Sequence, residues 1–485
     1  MDLLLTHGYF LLDDPHERMV NKPYPPLGLL YVSSHLKAKG FDVEVFDSTF
    51  SNWDALSHYL RLARPPVVGI YANLMTKQNV LRMIGLCRQA GARVVLGGPE
   101  PPAYAGEYLA WGSDIIVVGE GEGTLEELIP HLARHGLDGL EGVRGIAFRD
   151  GGGRVVRTAP RPQIADLSAQ PWPDREAIDL EHYLETWEEH HGVRSISLIT
   201  ARGCPYTCTW CSHSVFGETH RRRSPEDVVA EVAFLVERYR PDQLWYADDV
   251  FTIQPRWTQR YAELLAERGL HIPFECISRA DRLNETLADT LAAMGCQRLW
   301  IGSESGSQRV LDAMKRKANV EDVQAKTKLL QDRGIEVGMF IMLGYEGEEV
   351  SDLEATVAHL KRSDPDVFLT TVAYPIKGTA YYETVSERVY ATQPWELRTD
   401  RQLGVAGRHS RRFYDHATRW MVNEVNLHKA RTHGERSLPQ VAKLWVNAQR
   451  GRLGMALTQR QRERPDEGLA AGRGWEAQAR VTEAW

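Results

Sequence analysis

The sequence predicts an α/β protein built as a doubly wound parallel sheet over residues 1–142, a partial (β/α)6 barrel over 193–385 and a helical region over 386–485. A hairpin and linker at 143–192 separate the first two. Three observations predict this. Short Val- and Ile-rich runs alternate with helically spaced segments through the first 140 residues. The alternation resumes at 195 for six more strand–helix units, fewer than the eight of a closed barrel. After about residue 385 the strand pattern stops.

In the first stretch LLLTHGYF reads as a strand and PPLGLLYVSSHLKAKG as a helix ending at Gly40. DVEVFDST, VVGIYANL, RVVLGGPE and DIIVVGEG are the next strands, with helices between them. Ligands of such a sheet bind at the carboxyl ends of its strands. Those ends are His7-Gly8, Ala72-Asn73-Leu74, Gly97-Gly98-Pro99-Glu100 and Gly119-Glu120-Gly121-Glu122-Gly123. Residues 143–158 read as a hairpin around Asp150-Gly151-Gly152-Gly153. Residues 159–193, with Pro160, Pro162, Pro171 and Pro173, read as a surface linker without a strand.

In the second stretch SISLITARGC is strand-like, and Ser224-Pro225-Glu226-Asp227 is a helix start with Ser as cap, Pro at the first position and an acid at the third. QLWYADDVF, PFECISRA, RLWIGSES, EVGMFIMLG and DVFLTTVAYP follow as strands. Two long helix-like segments, RRFYDHATRWMVNEVNLHKARTH and LPQVAKLWVNAQRGRLGMALTQR, come next, and the last ~20 residues lack a sustained apolar stripe and are expected to fray.

Apolar residues make up 43% of the 485-residue chain and charged residues 25%, which fits a globular protein and argues against wholesale disorder. The net charge of −7 gives no global sign of nucleic-acid binding. No apolar run is long enough to span a bilayer, and the N-terminus lacks the basic start and small-residue cleavage site of a signal peptide. Six cysteines in a chain of this size are not a secreted disulfide framework, so a cytoplasmic location is expected.

The cysteines are unevenly spread. Cys87, Cys276 and Cys296 lie alone and read as small buried apolar side chains. Cys204, Cys208 and Cys211 sit within eight residues, and three thiols that close in a reducing compartment ask for a metal. Zinc closed by His213 is one reading of that set. An iron–sulfur cluster, which normally takes four thiolates and here would keep one iron open, is the other.

The Cys204-x3-Cys208-x2-Cys211 spacing in the loop after the first strand of the second series resembles the radical S-adenosylmethionine (SAM) superfamily. So do the aromatic Trp210 before the last cysteine, Asp248-Asp249 after the second strand, Ile301–Ser307 after the fourth and Gly344-Tyr345-Glu346-Gly347-Glu348 after the fifth. The resemblance covers about residues 193–385 and implies a [4Fe–4S] cluster on the three cysteines, with SAM filling the open iron through its amino and carboxylate groups. It implies that one electron from the cluster cleaves SAM to a 5′-deoxyadenosyl radical. By the same resemblance Trp210, Asp248, Asp249, Arg279, Ser303 and Glu304 contact SAM: an Asp at its amine, Ser303 and Glu304 at the ribose or amino-acid portion, Arg279 at the carboxylate. Helix capping for the two Asp and a surface ion pair for Arg279 are the other readings.

An open parallel sheet ahead of such a barrel resembles the cobalamin-dependent radical SAM group, with a Rossmann-like cobalamin-binding domain. The resemblance implies cobalamin contacts at Pro26, Gly28, Asn73, Leu74, Gly97, Gly98, Glu100, Gly119 and Gly121. The chain departs from the better-known cobalamin fingerprint: Asp14-Pro15-His16 lacks the following Gly, and Ala72-Asn73-Leu74 replaces Ser-x-Leu. His16 as a lower axial ligand therefore stands against a solvated loop histidine.

Residues 401–464 carry a net charge of +10, and Arg221-Arg222-Arg223 adds a second basic run. An anionic small-molecule substrate is one reading, a solvated helical face another, and RNA a third that lacks an aromatic platform to support it. The resemblance implies methylation of an unactivated carbon of a small-molecule substrate, with an electron donor such as flavodoxin or ferredoxin as partner. Oxidative ring chemistry of the anaerobic magnesium-protoporphyrin monomethyl ester cyclase kind, or a non-catalytic cobalamin or metal carrier, are the alternatives.

Overall fold

The computed structural model describes residues 1–434 and 437–465, and the chain packs into two compact units. One comprises Met1–Pro205, Ser212–Asp248 and Gln393–Thr399; the other comprises Tyr206–Cys211, Asp249–Thr392 and the described residues from Asp400 to 465. The tail after residue 465, expected to fray, lies outside the described residues.

The first unit runs β1 (Leu3–His7), α1 (Pro15–Val20), α2 (Leu27–Ala38), β2 (Val43–Phe46), α3 (Trp53–Ala63), β3 (Val67–Tyr71), α4 (Lys77–Gln89), β4 (Arg93–Gly97), α5 (Ala105–Trp111), β5 (Ile115–Val117), α6 (Glu122–His135), β6 (Ile146–Arg149) and β7 (Val155–Arg157). These seven strands form one sheet in the order β2-β1-β3-β4-β5-β6-β7. β1 to β5 pair in parallel, with Leu4 beside Val68 and Val68 beside Val94. Strand side chains alternate between faces, so each face has its own core. Leu4, Val68, Ile70, Val94, Leu96 and Ile116 pack on one side with Leu56 and Leu60 of α3 and Val80 and Ile84 of α4. Leu3, Leu5, Val67, Val95, Ile115 and Val117 pack on the other with Leu29 and Leu36 of α2 and Leu125 and Leu128 of α6. Each such residue contributes roughly 1.5–3 kcal/mol of burial, enough to fix the register.

The expected hairpin is present, but β6 and β7 extend the sheet antiparallel to β5 instead of standing outside it. Its apolar positions explain this: Phe148 joins one core and Ala147 the other. The linker is likewise more than a surface crossing. It contains α7 (Leu180–His191), capped by Asp179 and burying Leu180, Tyr183 and Leu184. Proline-rich flanks hid that helix.

The second series begins in the first unit with β8 (Ser195–Leu198), β9 (Ala201–Arg202), β10 (Arg221–Arg222), α8 (Pro225–Tyr239) and β11 (Gln243–Tyr246). β8 and β11 pair in parallel, and β9 and β10 form a small antiparallel ladder. Ser224 caps α8 by accepting from the Asp227 N–H at 3.2 Å, as expected.

The second unit continues α9 (Pro255–Glu267), β12 (Phe274–Ser278), α10 (Glu285–Ala293), β13 (Cys296–Glu304), α11 (Gln308–Ala313), α12 (Val320–Gln331), β14 (Glu336–Leu343), α13 (Val350–Ser363) and β15 (Val367–Val372). β12 to β15 pair in parallel in chain order. All six expected strands of the series thus exist, two in the first unit and four in the second. Then come α14 (Ala380–Val385), a short β16 (Val389–Tyr390) and β17 (Gly404–Val405) ladder that the sequence pattern did not show, and the two expected long helices, α15 (Arg411–His433) and α16 (Leu438–Thr458).

Candidate active site

The three clustered cysteines lie in the loop after β9. Cys204 and Cys208 are partly buried and Cys211 is exposed, whereas Cys87, Cys276 and Cys296 are buried as expected. Burial pushes the Cys87 thiol up to about 12, which keeps it inert. Among the described residues, no three His, Cys, Asp or Glu side chains stand already grouped as a metal cage.

Each end of the cysteine loop is anchored. At Cys204 the anchor is Gly203, whose φ of +85° and close approach to the Thr219 carbonyl leave no room for a side chain: a Cβ there would stand 2.3 Å from that oxygen. At the other end Thr209 donates its N–H to the Met314 carbonyl at 3.2 Å and accepts at its own carbonyl from the Tyr381 N–H at 2.8 Å. Its hydroxyl pairs with the Tyr345 hydroxyl at 2.5 Å. Trp210 packs against the apolar cluster of Val310, Met314, Tyr345 and Tyr381, so its indole serves the core of this unit.

Arg279 is buried at the end of β12. It donates to Asp281 at 2.8 Å and to the Arg316 carbonyl at 2.8 Å, lies 3.8 Å over the Tyr206 ring, and reaches the Cys208 sulfur at 3.7 Å. A fixed guanidinium against a sulfur favours the thiolate that a cluster needs. Burial outweighs it in the present state and holds the Cys208 thiol above its usual range. The exposed ion pair considered for Arg279 is not what is seen, since its side chain is only 3% exposed.

Glu304 ends β13 with φ of +64°, a left-handed conformation costly for a residue with a side chain. Its pairing with β14 slips at that point. Burial raises its carboxyl to about 8, offset in part by Arg279. A left-handed backbone and a desolvated carboxyl thus coincide at one strand end. Ser303, its neighbour, turns its hydroxyl to His359 Nε2 at 2.9 Å, and burial lowers that histidine to about 4.

Asp248 holds the backbone between β8 and β9. It accepts from the Thr200 N–H at 2.7 Å, the Ala201 N–H at 3.0 Å and the Thr200 hydroxyl at 2.5 Å, with Arg222 at 3.4 Å. Its side chain is 1% exposed. Asp249, next to it, is exposed.

The basic run Arg221–Arg223 is not a surface patch. Arg221 pairs with Glu120 at 2.9 Å, Arg222 with Asp248, and Arg223 with Asp227 at 2.6 Å and with Glu231. Glu120 and Glu122 also bind Arg202, at 2.8 and 2.7 Å. The Gly-Glu-Gly-Glu stretch after β5 therefore clamps the β9–β10 ladder, a role that sequence spacing does not reveal.

At the other strand ends of the first sheet, Pro26 precedes α2, and a Cβ on Gly28 would meet nothing within 4 Å. Asn73 caps its own turn by accepting from the Met75 and Thr76 N–H groups at 2.9 and 3.0 Å, with Leu74 half-buried between them. Gly98, at φ of +106°, passes 2.3 Å from where its Cβ would strike the Ala72 carbonyl. Gly97 and Gly119 have no atom closer than 4.0 and 3.7 Å to a would-be Cβ, whereas at Gly121 Val32 stands at 3.2 Å. Glu100 is buried and accepts from Tyr108 at 2.5 Å. Of these positions Gly28, Gly97 and Gly119 present open backbone, which suits a bulky corrinoid, whereas Gly98, Gly121 and Glu100 are held by internal contacts. The His16 side chain lies outside the described residues.

Residues 198–360 match the family model of the Radical SAM superfamily, and residues 19–129 match that of the B12 binding domain. The chain is an enzyme with a radical SAM domain. More narrowly, it is one that carries a B12-binding domain ahead of its radical SAM domain, with a [4Fe–4S] cluster, SAM and cobalamin as cofactors. An uncharacterized methyltransferase of Pyrococcus horikoshii is 28% identical over 397 residues, 79% of this chain and 83% of the relative. The anaerobic magnesium-protoporphyrin IX monomethyl ester cyclase of Rubrivivax gelatinosus is 26% identical over 76% of this chain and 67% of its own. The solved structure of the radical SAM methyltransferase TsrM of Kitasatospora setae, with cobalamin and a [4Fe–4S] cluster bound, matches with a TM-score of 0.68 at 20% identity, over 81% of this chain and 77% of that one. At that identity the likeness is one of fold. These matches set aside zinc on Cys204, Cys208, Cys211 and His213, and the non-catalytic carrier. No helix among the described residues is long and apolar enough to cross a membrane.

Proposed function

We propose that this chain methylates an unactivated carbon of a small-molecule substrate. The observation that carries the reading is the joining, in one chain, of a B12-binding domain with a three-thiol radical SAM loop. When bound, the cluster with SAM supplies one-electron hydrogen abstraction, and cobalamin supplies a methyl group. Cys204, Cys208 and Cys211 hold the cluster, and Arg279 favours the thiolate of Cys208 from 3.7 Å. Glu304, held protonated at neutral pH by burial, can donate a hydrogen bond to a ligand oxygen or ionise beside a ligand amine. Asp248 keeps the backbone ahead of Cys204 in place and so acts on SAM through the loop. Pro26, Gly28, Asn73, Leu74, Gly97, Gly98, Glu100, Gly119 and Gly121 form the rim toward cobalamin, and a flavodoxin or ferredoxin supplies the electron.

The test is a reductive incubation with methyl-labelled SAM and candidate acceptors. Formation of both 5′-deoxyadenosine and S-adenosylhomocysteine, with label in the acceptor, supports the reading. A substrate oxidised with no methyl gained would select ring-forming chemistry instead, which the likeness to the cyclase keeps as the second reading.

A further inference from the structure

A small open cleft lies within the second unit, where the chain leaves β15 and meets the first turn of α15. Its wall carries three guanidinium groups, Arg401, Arg408 and Arg411, two phenols, Tyr374 and Tyr414, and a single carboxylate, Asp415.

Charge of one sign predominates at this wall. Arg408 has a side chain only 8% exposed. It binds Glu463 at 3.0 Å and the Ala373 carbonyl at 2.5 Å, yet its buried Nε has no hydrogen-bond partner. Glu463 also accepts from the Val405 N–H at 2.7 Å, through the oxygen that Arg408 does not use. Arg411 donates to the Gln402 carbonyl at 2.6 Å. Burial pulls the Arg411 guanidinium below its ordinary range, with Glu463, Tyr390 and Asp415 opposing the fall and Arg408 adding to it.

The helix adds to this. α15 is 23 residues long, is capped by Ser410, and has no acid in its first turn, where Arg411 and Arg412 stand instead. Cations there oppose the positive end of the helix dipole. A bound anion reverses both penalties, accepting from forked guanidinium donors and lying at a helix N-terminus.

We infer that this cleft binds the acidic group, phosphate or carboxylate, of a small anionic substrate. The site itself stands on the arginines and the helix; its role as the seat of the methyl acceptor rests on the function proposed above. Three of the basic residues that give 401–464 its positive charge thus have a task, while Arg221–Arg223 are consumed by internal carboxylates.

The test uses the full chain with cluster and cobalamin loaded. Inorganic pyrophosphate and citrate are titrated at constant ionic strength against wild type, R411Q and R401Q, with binding read by calorimetry. Saturable binding of either anion to wild type, weakened about tenfold or more in both variants with unchanged melting temperature and unchanged substrate-free SAM cleavage, supports the site. The better anion names the source of the acidic group. No binding to wild type, or binding that both variants retain, overturns it. Substrate-free SAM cleavage is read separately: its absence in wild type would sink the functional reading while leaving the anion site standing.

Discussion

Gly203 shows how one residue can set the geometry of a cofactor loop. Its backbone is left-handed and its Cα faces the Thr219 carbonyl, so G203A forces a clash at 2.3 Å. The expected cost is about 1–3 kcal/mol of local stability together with a clear loss of iron per chain. Iron content equal to wild type would show that the loop has other ways to reach its shape. Glu348 gives a pH prediction. It is buried, one carboxylate oxygen lacks a partner, and burial raises its pKa from 4.5 to about 8, with the Gly344 N–H offsetting part of the rise. A carboxyl whose folded value is raised adds stability below its unfolded value, and that stability is lost as pH climbs toward the folded one. Wild type should therefore weaken between pH 4.5 and about 8 relative to E348Q, by at most about 1.4 kcal/mol per unit, read by denaturant titration. Parallel curves would refute it. The sequence named Cys204, Cys208, Cys211, Arg279 and Glu304 because motif spacing is local. It could not show that Ser303 faces His359, or that Trp210 joins an apolar cluster, because those partners are 56 residues or more away along the chain.

At the scale of elements, two carboxylate clamps hold the approach to the cysteine loop. Glu120 joins Arg202 and Arg221 with all three side chains largely buried. E120A removes the carboxylate that Arg202 and Arg221 share, leaving Arg202 on Glu122 and Arg221 on the Ile164 carbonyl, and should cost about 3–5 kcal/mol, measured by chemical unfolding. A loss below ~1 kcal/mol would mean that Glu122 carries the clamp alone. Asp248 offers a sharper contrast. If it ties Thr200 and Ala201, D248N should lower stability by about 1–3 kcal/mol with no SAM present. A variant as stable as wild type that only loses SAM affinity would return Asp248 to direct ligand contact. The strands were legible because Val- and Ile-rich runs of four to nine residues declare themselves. The break between β8 and β9, the joining of β6 and β7 to the sheet, and α7 inside the linker were not, because each is decided by a partner distant in sequence.

On the whole-molecule scale, fold class and cofactor class were both readable before any coordinates, since each rests on a repeated pattern: alternating strands and helices, and three cysteines at fixed spacing. An anionic substrate was only one of three readings of the basic segment 401–464, because the sequence does not show that folding gathers Arg401, Arg408 and Arg411 around the end of β15. The central claim is that one chain holds both an iron–sulfur cluster and cobalamin and uses both. The most direct measurement is iron, sulfide and cobalt content of the chain purified anaerobically from cells given hydroxocobalamin, followed on the same sample by reductive SAM turnover. About four irons and about one cobalt per chain, with SAM consumed only under reducing conditions, is the expected result. About four irons with no cobalt after reconstitution would contradict it.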